Sequence, residues 1–415
     1  MTSTVQASKT WVSRRAKYLF SEVNERGHDL PLASVTKDGG VEFRSDLSIS
    51  VWNPGDDVSG YKRVQVGDFV IGLRSFQSGI GFSPLEGLVS PAYTVLRANS
   101  QLVYRPFFKH LFKSDVFISR LENIAQGIRQ GRTISTDDFM EFMIDVPPVV
   151  TQRAIADYLD AETARIDALI EKKQRMAELM TLRWRSLLVQ KMVPHVDGEG
   201  NAEVVPDGWR SGHLRNLVDR VVGGSWGDDA DVSDVNVECV RAADFDFLKL
   251  QATTGAIRSF RATEIESRVV REGDLVIEKS GGGDEAPVGR VVQWRSSSRG
   301  VPTNFAARLR TTPGNDPLYV LFCFRAAYEL GLNWKSIKQT TGIQNLDTTA
   351  YLSEPWAVPG LDDQLRIARE LQVALNSAIR ATGLLHSQID LLREHRQALI
   401  TAAITGELKI EGVTA

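Results

Sequence analysis

Two cysteines, Cys239 and Cys323, are all that the 415 residues contain. A disulfide framework is therefore excluded, and a reducing compartment, the cytoplasm, is expected. No apolar run approaches the roughly 20 residues that span a bilayer, so no membrane partner is expected. The opening stretch MTSTVQASKTWVSRRAKYLF has no apolar core followed by a cleavage site, which argues against a secretory leader. An excess of one charge is missing too, since 49 Lys and Arg face 52 Asp and Glu for a net charge of −3. That balance argues weakly against a strongly basic nucleic-acid binder.

Catalytic motifs are also absent. The six histidines (His28, His110, His195, His213, His386 and His395) form no H-E-x-x-H pattern and no Cys/His cluster, so no metal is expected. Residues 280–290, SGGGDEAPVGR, lack the Gly-Lys-Ser/Thr ending of a phosphate loop and read as a flexible hairpin or loop. Residues 145–149, DVPPV, miss the Pro-Pro tetrad of amino-methyltransferases, because Val146 intervenes and the aromatic is absent. No G-x-S-x-G elbow or paired-carboxylate constellation stands out. An enzyme reading has no motif beneath it, and no catalytic residue is assigned.

What is present is a long helical stretch that occurs twice. Residues 151–192 contain neither Gly nor Pro. Leu159, Thr163, Ile166, Ile170, Lys173, Ala177, Met180, Trp184 and Leu187 recur at alternating steps of four and three, the seam of a coiled coil. A helix of that length runs about 60 Å, more than one globular core covers. Adding 212 to Gln152, Ile155, Ala156, Leu159, Leu179 and Leu187 gives Gln364, Ile367, Ala368, Leu371, Leu391 and Leu399. The second seam, Leu371, Leu375, Ala378, Thr382, Leu385, Ile389, Leu392, Arg396, Leu399 and Ala403, stays in phase, and Pro147 maps to Pro359 just before each helix. Two such copies point to an internal duplication.

The expected order is globular (1–147), spacer helix (148–195), globular (196–360), spacer helix with tail (361–415). Because the helix has its copy in the same chain, an intramolecular antiparallel pair replaces the usual homodimer. Leu159, Ile166, Ile170, Met180, Leu187, Leu371, Leu385, Ile389, Leu392 and Leu399 would form its interface. The polar seam positions Lys173 and Arg396 would help fix its register.

Each globular region reads as mixed α/β. Residues 64–73, VQVGDFVIGL, suit a strand entered by a Gly-Asp turn, echoed by REGDLVIE at 271–278. Residues 87–97 suit another strand, with Pro91 favouring an edge or bulge, echoed by 301–310. An aromatic and basic helix is expected over 104–113, and 319–325 takes its place in the second half. KQTTGIQNL at 338–346 takes the place of RQGRTI at 129–134, while 221–236 has no visible counterpart. A shared frame with a divergent interior suggests one device tuned to two ligands.

DNA is the natural candidate, because a helical turn of about 34 Å fits once to twice along such a spacer. Readout of base edges uses Arg, Lys, Asn and Gln presented from loops. Arg129, Gln130 and Arg132 supply such a set in the first half, and Lys335, Lys338, Gln339, Gln344 and Asn345 in the second. Arg74 with Gln77, and Lys279, follow the Gly-Asp strands and would add contacts. The rival reading is a non-DNA coiled-coil adaptor carrying two ligand-binding modules, which near-neutral charge favours slightly.

These residues resemble the specificity subunit of type I restriction-modification systems over nearly the whole chain. The resemblance is carried by Pro147–Gln152–Ile155–Ala156 and Pro359–Gln364–Ile367–Ala368, and by the ending RQALITAAITG at 396–406. VPDGW at 205–209 and VSPAY at 89–93 also carry it. Departures are Thr151 and Asp363, where the family has Glu before the glutamine, and VQKMVP closing the first helix. The resemblance implies two target recognition domains, each reading half of a bipartite double-stranded DNA target, with an antiparallel helix pair setting the unread gap. It further implies two docked methyltransferase subunits, which carry S-adenosylmethionine and the catalysis, and restriction subunits joining that core. The chain itself would be non-catalytic and without a cofactor. The target sequence and the gap length are not legible, since base readout depends on loop geometry.

Overall fold

The computed structural model describes residues 11–36, 40–47, 57–124, 134–193, 205–340 and 342–410. They form two compact units, one of residues 1–172 with 388–415, the other of residues 173–387. Each unit thus takes one globular region together with part of both long helices.

In unit 1 the Gly-Asp motif organises the sheet. Gly67 adopts a φ of +89°, which a side chain would strain, and the chain turns there into the buried strand Phe69–Ile71. The expected strand over 64–73 is therefore two, Lys62–Val64 and Phe69–Ile71, lying in different sheets. Phe69–Ile71 joins an antiparallel sheet ordered Phe20–Val23, Thr94–Ala98, Phe69–Ile71, Gly81–Phe82. Pro91 breaks the expected 87–97 strand, because it has no N–H for a ladder. Gly87–Val89 pairs with Lys62–Val64, a turn closes from Tyr93 N–H to the Ser90 carbonyl (3.0 Å), and Thr94–Ala98 then enters the main sheet. Over that sheet lies helix Arg105–Leu111, with Pro106 in its first turn. Its Phe108 meets Phe20 edge-on at 5.3 Å, and Phe112 just beyond it meets Phe69 at 5.1 Å.

Unit 2 repeats this plan. Gly273, at φ +93°, turns the chain into Leu275–Glu278. The sheet order is Val218–Gly223, Ala306–Thr311, Leu275–Glu278, Val291–Trp294, with a parallel edge strand Gln251–Ala252 added. Helix Pro317–Glu329, begun by Pro317 and capped by Asp316, buries every residue from Tyr319 to Ala327. Unit 2 also carries a three-stranded sheet ordered Ala256–Phe260, Val235–Val240, Gly300–Pro302, and the 221–236 stretch leads into it. Cys239 and Cys323 are both free and buried.

The long helices run Val149–Met192 and Leu361–Thr405. In unit 1, Ile155, Ala156 and Leu159 share a core with Ile400, Ala403 and Ile404. Further along, Arg396 grips Asp167 with Nε–Oδ1 at 2.9 Å and Nη2–Oδ2 at 3.3 Å. In unit 2, Trp184, Leu188 and Met192 share a core with Ile367, Ala368, Leu371 and Leu375, and Lys191 reaches Glu370 at 2.8 Å. Numbers rise on one helix as they fall on the other, so the segments are antiparallel within each unit. Of the ten expected interface residues, Leu159, Ile166, Leu371 and Ile389 are buried; Ile170, Met180, Leu187, Leu385, Leu392 and Leu399 are half-buried. Gly406, at φ +80°, ends the second helix, where a Cβ would meet the Trp11 ring at 3.2 Å.

The duplication extends to single atoms. Gln152 is fully buried; its Oε1 accepts from Tyr104 N–H at 2.7 Å and its Nε2 donates to the Leu102 and Pro147 carbonyls, both at 2.9 Å. Gln364, 212 residues on, accepts from Asp316 N–H and donates to Asn315 Oδ1 and the Pro359 carbonyl, each at 3.0 Å. Tyr104 and Asp316 are the N-caps of the helices that cover the two sheets. In both units, one glutamine satisfies that helix end and stitches it to the start of a long helix.

Candidate nucleic-acid interface

The aspartate of each Gly-Asp turn shows how the candidate loops are held. Asp68 accepts bidentately from Arg97, Nε–Oδ1 at 3.1 Å and Nη2–Oδ2 at 3.0 Å. Asp274 does the same with Arg310 at 3.0 and 2.8 Å. Each aspartate also accepts from a backbone N–H three residues earlier, of Gln65 or Arg271, at 3.0 Å. The turn before each central strand is thereby fixed, and so is the point where its far end emerges.

In unit 2 that far end meets a hairpin. Ser280–Gly281 pairs with Ile343–Leu346, which pairs with Ile337–Thr340. Lys338 stands opposite Asn345, Asn345 opposite Ser280, and Ser280 Oγ donates to Asn345 Oδ1 at 2.6 Å. Lys338, Gln339 and Asn345 are exposed, with Lys335 exposed just before the hairpin. Lys338 is ion-paired to Asp347 at 2.8 Å, and this pair lowers the Asp347 pKa.

Lys279 is half-buried and borders a cleft of about 500 Å³ with Arg215, Thr348, Thr349 and Ser353. Burial lowers its pKa, and no carboxylate counteracts the shift. Two cations and three hydroxyls without a lining acid form an anion-accepting wall. Asp284 and Glu285 are exposed on the adjoining glycine-rich loop.

Gln344 is a correction. It is fully buried, and its Oε1 accepts from Val288 N–H at 3.2 Å. Strand alternation explains this: Gln344 and Leu346 turn inward while Ile343 and Asn345 turn outward. Gln344 therefore fastens the glycine-rich loop to the hairpin and is not part of the exposed face.

In unit 1, Arg74 and Gln77 are exposed on the short turn Ser75–Ser78, immediately after the central strand as Lys279 is in unit 2. Gln77 borders a cleft of about 920 Å³ with Lys109, Lys113, Arg393 and Arg396, but also with Asp115, Asp160 and Asp167. Its mixed charge singles out no ligand. Arg129, Gln130 and Arg132 lie outside the described residues. His110 is buried, with Nε2 2.8 Å from Asp160 Oδ1 on the first long helix. Burial lowers its pKa, outweighing the opposing pull of Asp160.

Arg215 and the exposed Phe305 and Ile343 were not anticipated. A signal existed for Phe305, since Tyr93 of the VSPAY motif lies 212 residues before it. Among the described residues no group of three or more His, Cys, Asp or Glu is placed to hold a metal. No helix among them is long and apolar enough to cross a membrane.

No family model matches the sequence, and no curated protein matches it. Solved structures do match. A chain from a structure on the complex assembly and conformational transition of the type I R-M system is 18% identical, with a TM-score of 0.72, over 96% of this chain and 98% of that one. The HsdS subunit from Thermoanaerobacter tengcongensis is also 18% identical, with a TM-score of 0.56, over 96% of this chain and 97% of that one. The chain thus has the HsdS fold over nearly its whole length: mixed α/β, with two repeated globular regions and two long helices.

Proposed function

We propose that this chain is the DNA-recognition subunit of a type I restriction-modification system. The observation that carries the reading is the match to the HsdS fold across 96% of the chain. Each globular region reads one half of a bipartite double-stranded target. The helix pair sets the gap between the halves and docks two methyltransferase subunits, and restriction subunits join that core. S-adenosylmethionine and the catalytic residues belong to the methyltransferase partners, and the complex works in the cytoplasm.

Two features support these assignments. The hairpin of unit 2 presents Lys338, Gln339 and Asn345 together, the side-chain types that contact phosphates and base edges. The outer faces of the long helices leave Leu169, Met176, Leu179, Leu182, Val373, Leu384 and Leu391 between 47% and 66% exposed. Rows of exposed apolar side chains mark surfaces that other subunits cover.

The decisive experiment is sequencing of host DNA for methylated bases, with the gene present and deleted. A bipartite methylated sequence that disappears on deletion is expected, together with co-purification of an adenine methyltransferase. An unchanged methylation pattern with no such partner would leave the adaptor reading in its place.

A further inference from the structure

Phe305 is an exposed ring on a fixed mount. Thr303 and Ala306, at the two ends of the turn, are 2% and 0% exposed, whereas Asn304 is exposed and Phe305 is 50% exposed. The chain is pinned on both sides of it: Thr303 N–H donates to the Val240 carbonyl at 3.0 Å and Ala306 N–H to the Thr303 carbonyl at 2.9 Å. The Phe305 carbonyl accepts from the N–H groups of Lys279 at 2.7 Å and Ser280 at 3.1 Å, which joins it to the strand next to Asn345.

The repeat supplies a control. Tyr93, the residue at the same spacing in unit 1, packs against the core of Val64, Val70, Val89 and Val95. The frame therefore has room for an inward-leaning ring at this position. In unit 2 half of the ring instead stays in water, and that half contributes nothing to the fold. Its carbonyl is bonded to the backbone of a cationic residue, Lys279, and to that of Ser280, from which the strand pairing continues to Asn345 and Lys338.

We propose that Phe305 is a base-reading residue whose ring packs on the C5-methyl group of a thymine in the major groove, within the half-site read by unit 2. This proposal rests on the DNA-recognition reading above. The major groove is where thymine shows its methyl group and adenine shows the N6/N7 edge that asparagine amides contact. An apolar ring, an amide and lysines for the flanking phosphates on one ladder match that set of features.

The test uses the complex assembled with its methyltransferase subunits and duplexes carrying the methylated target. Each thymine is replaced in turn by deoxyuridine, which removes only the methyl group. For the unaltered protein, one thymine of a single half-site should matter, with about fourfold weaker binding of the uridine duplex, the worth of one buried methyl group. Phe305→Ala should bind the thymine duplex weaker by at least that factor and be indifferent to that uridine. Phe305→Leu, which keeps apolar area and guards against a folding defect, should retain part of the uridine effect.

The proposal is overturned if Phe305→Ala binds like the unaltered protein, or if the uridine penalty survives in that variant. It is equally overturned if 2-aminopurine placed in the half-site reports Phe305-dependent unstacking, which marks a wedge between base steps. A complex that does not prefer its target to a scrambled duplex would instead sink the DNA-recognition reading itself.

Discussion

Gln152 and Gln364 are both fully buried and close the same hydrogen-bonded knot, whereas at the same repeat spacing Tyr93 is partly buried against a core and Phe305 is half exposed. The first pair sits where each unit joins its long helix, and the second at the end of a strand that borders the candidate interface. Positions that hold a unit together are duplicated to the atom, and positions that face outward have diverged. A buried amide with three partners has no tolerated alternative, because each unmet group carries its own desolvation cost. An exposed position is under no such constraint and is free to follow a ligand.

The largest expected effect tests the shared frame. Gln152→Ala and Gln364→Ala each leave a part-buried helix-cap N–H and a buried proline carbonyl without a partner. Each should destabilise its own unit by about 2 kcal/mol, most of it from the unmet buried carbonyl. Hydrogen exchange read by unit is the appropriate measurement, since one melting temperature would blend the two. Matched losses, each confined to the substituted unit, are expected. A loss at one glutamine that exceeds the other by more than about 2 kcal/mol would show that the repeated geometry does not carry a repeated load.

A smaller effect should separate the units by pH. His110 in unit 1 has Phe322 as its counterpart 212 residues later, and Asp160 has Gln372. The folded state holds the His110 pKa below its ordinary value, chiefly through burial; Asp160 opposes this, and Lys109 and Arg396 add to it. The unfolded chain therefore binds the proton first as pH falls, so the contribution of His110 is complete above the ordinary histidine range and declines with acidification. Unit 1 should lose stability between about pH 7 and 5 relative to unit 2, given an ordinary histidine pKa near 6.5. His110→Gln should flatten that difference. Equal pH profiles of the two units in the unaltered protein would count against this account.

Much of the frame was legible because it is written in local spacing. The seam of each long helix needs only steps of three and four, and no seam residue from Leu159 to Leu187 or Leu371 to Ala403 is exposed. The Gly-Asp echo was legible as well, although the bidentate arginines Arg97 and Arg310 that give it meaning come from a strand distant in sequence. What escaped were the features decided by tertiary contacts. Pro91 was visible, but not that the strands on either side of it enter different sheets. Gln344 and Asn345 are adjacent polar residues in one motif, and only the pairing of the hairpin buries the first and exposes the second. Phe305 reads as an ordinary core residue until its exposure is known.

The smallest expected effect tests whether the two units read alike. Lys338 has a side chain 75% exposed and holds Asp347 across the surface. Such pairs contribute between about 0 and 1 kcal/mol to folding, and Asp347 keeps its other task of capping helix Thr348–Leu352 through Ala350 N–H at 3.1 Å. Lys338→Ala should therefore leave the fold intact and report on DNA alone. If Lys338 meets a phosphate, the slope of log K against log salt should fall in magnitude by about 0.9, with about the same loss on every sequence that unit 2 accepts. Arg129 opens the motif RQGRTI as Lys338 opens KQTTGIQNL, so Arg129→Ala should change the slope equally. A slope change for one and not the other would mean that the units share a frame but not a mode of contact. An unchanged slope in both would remove these cations from the interface and leave recognition to the uncharged residues beside them.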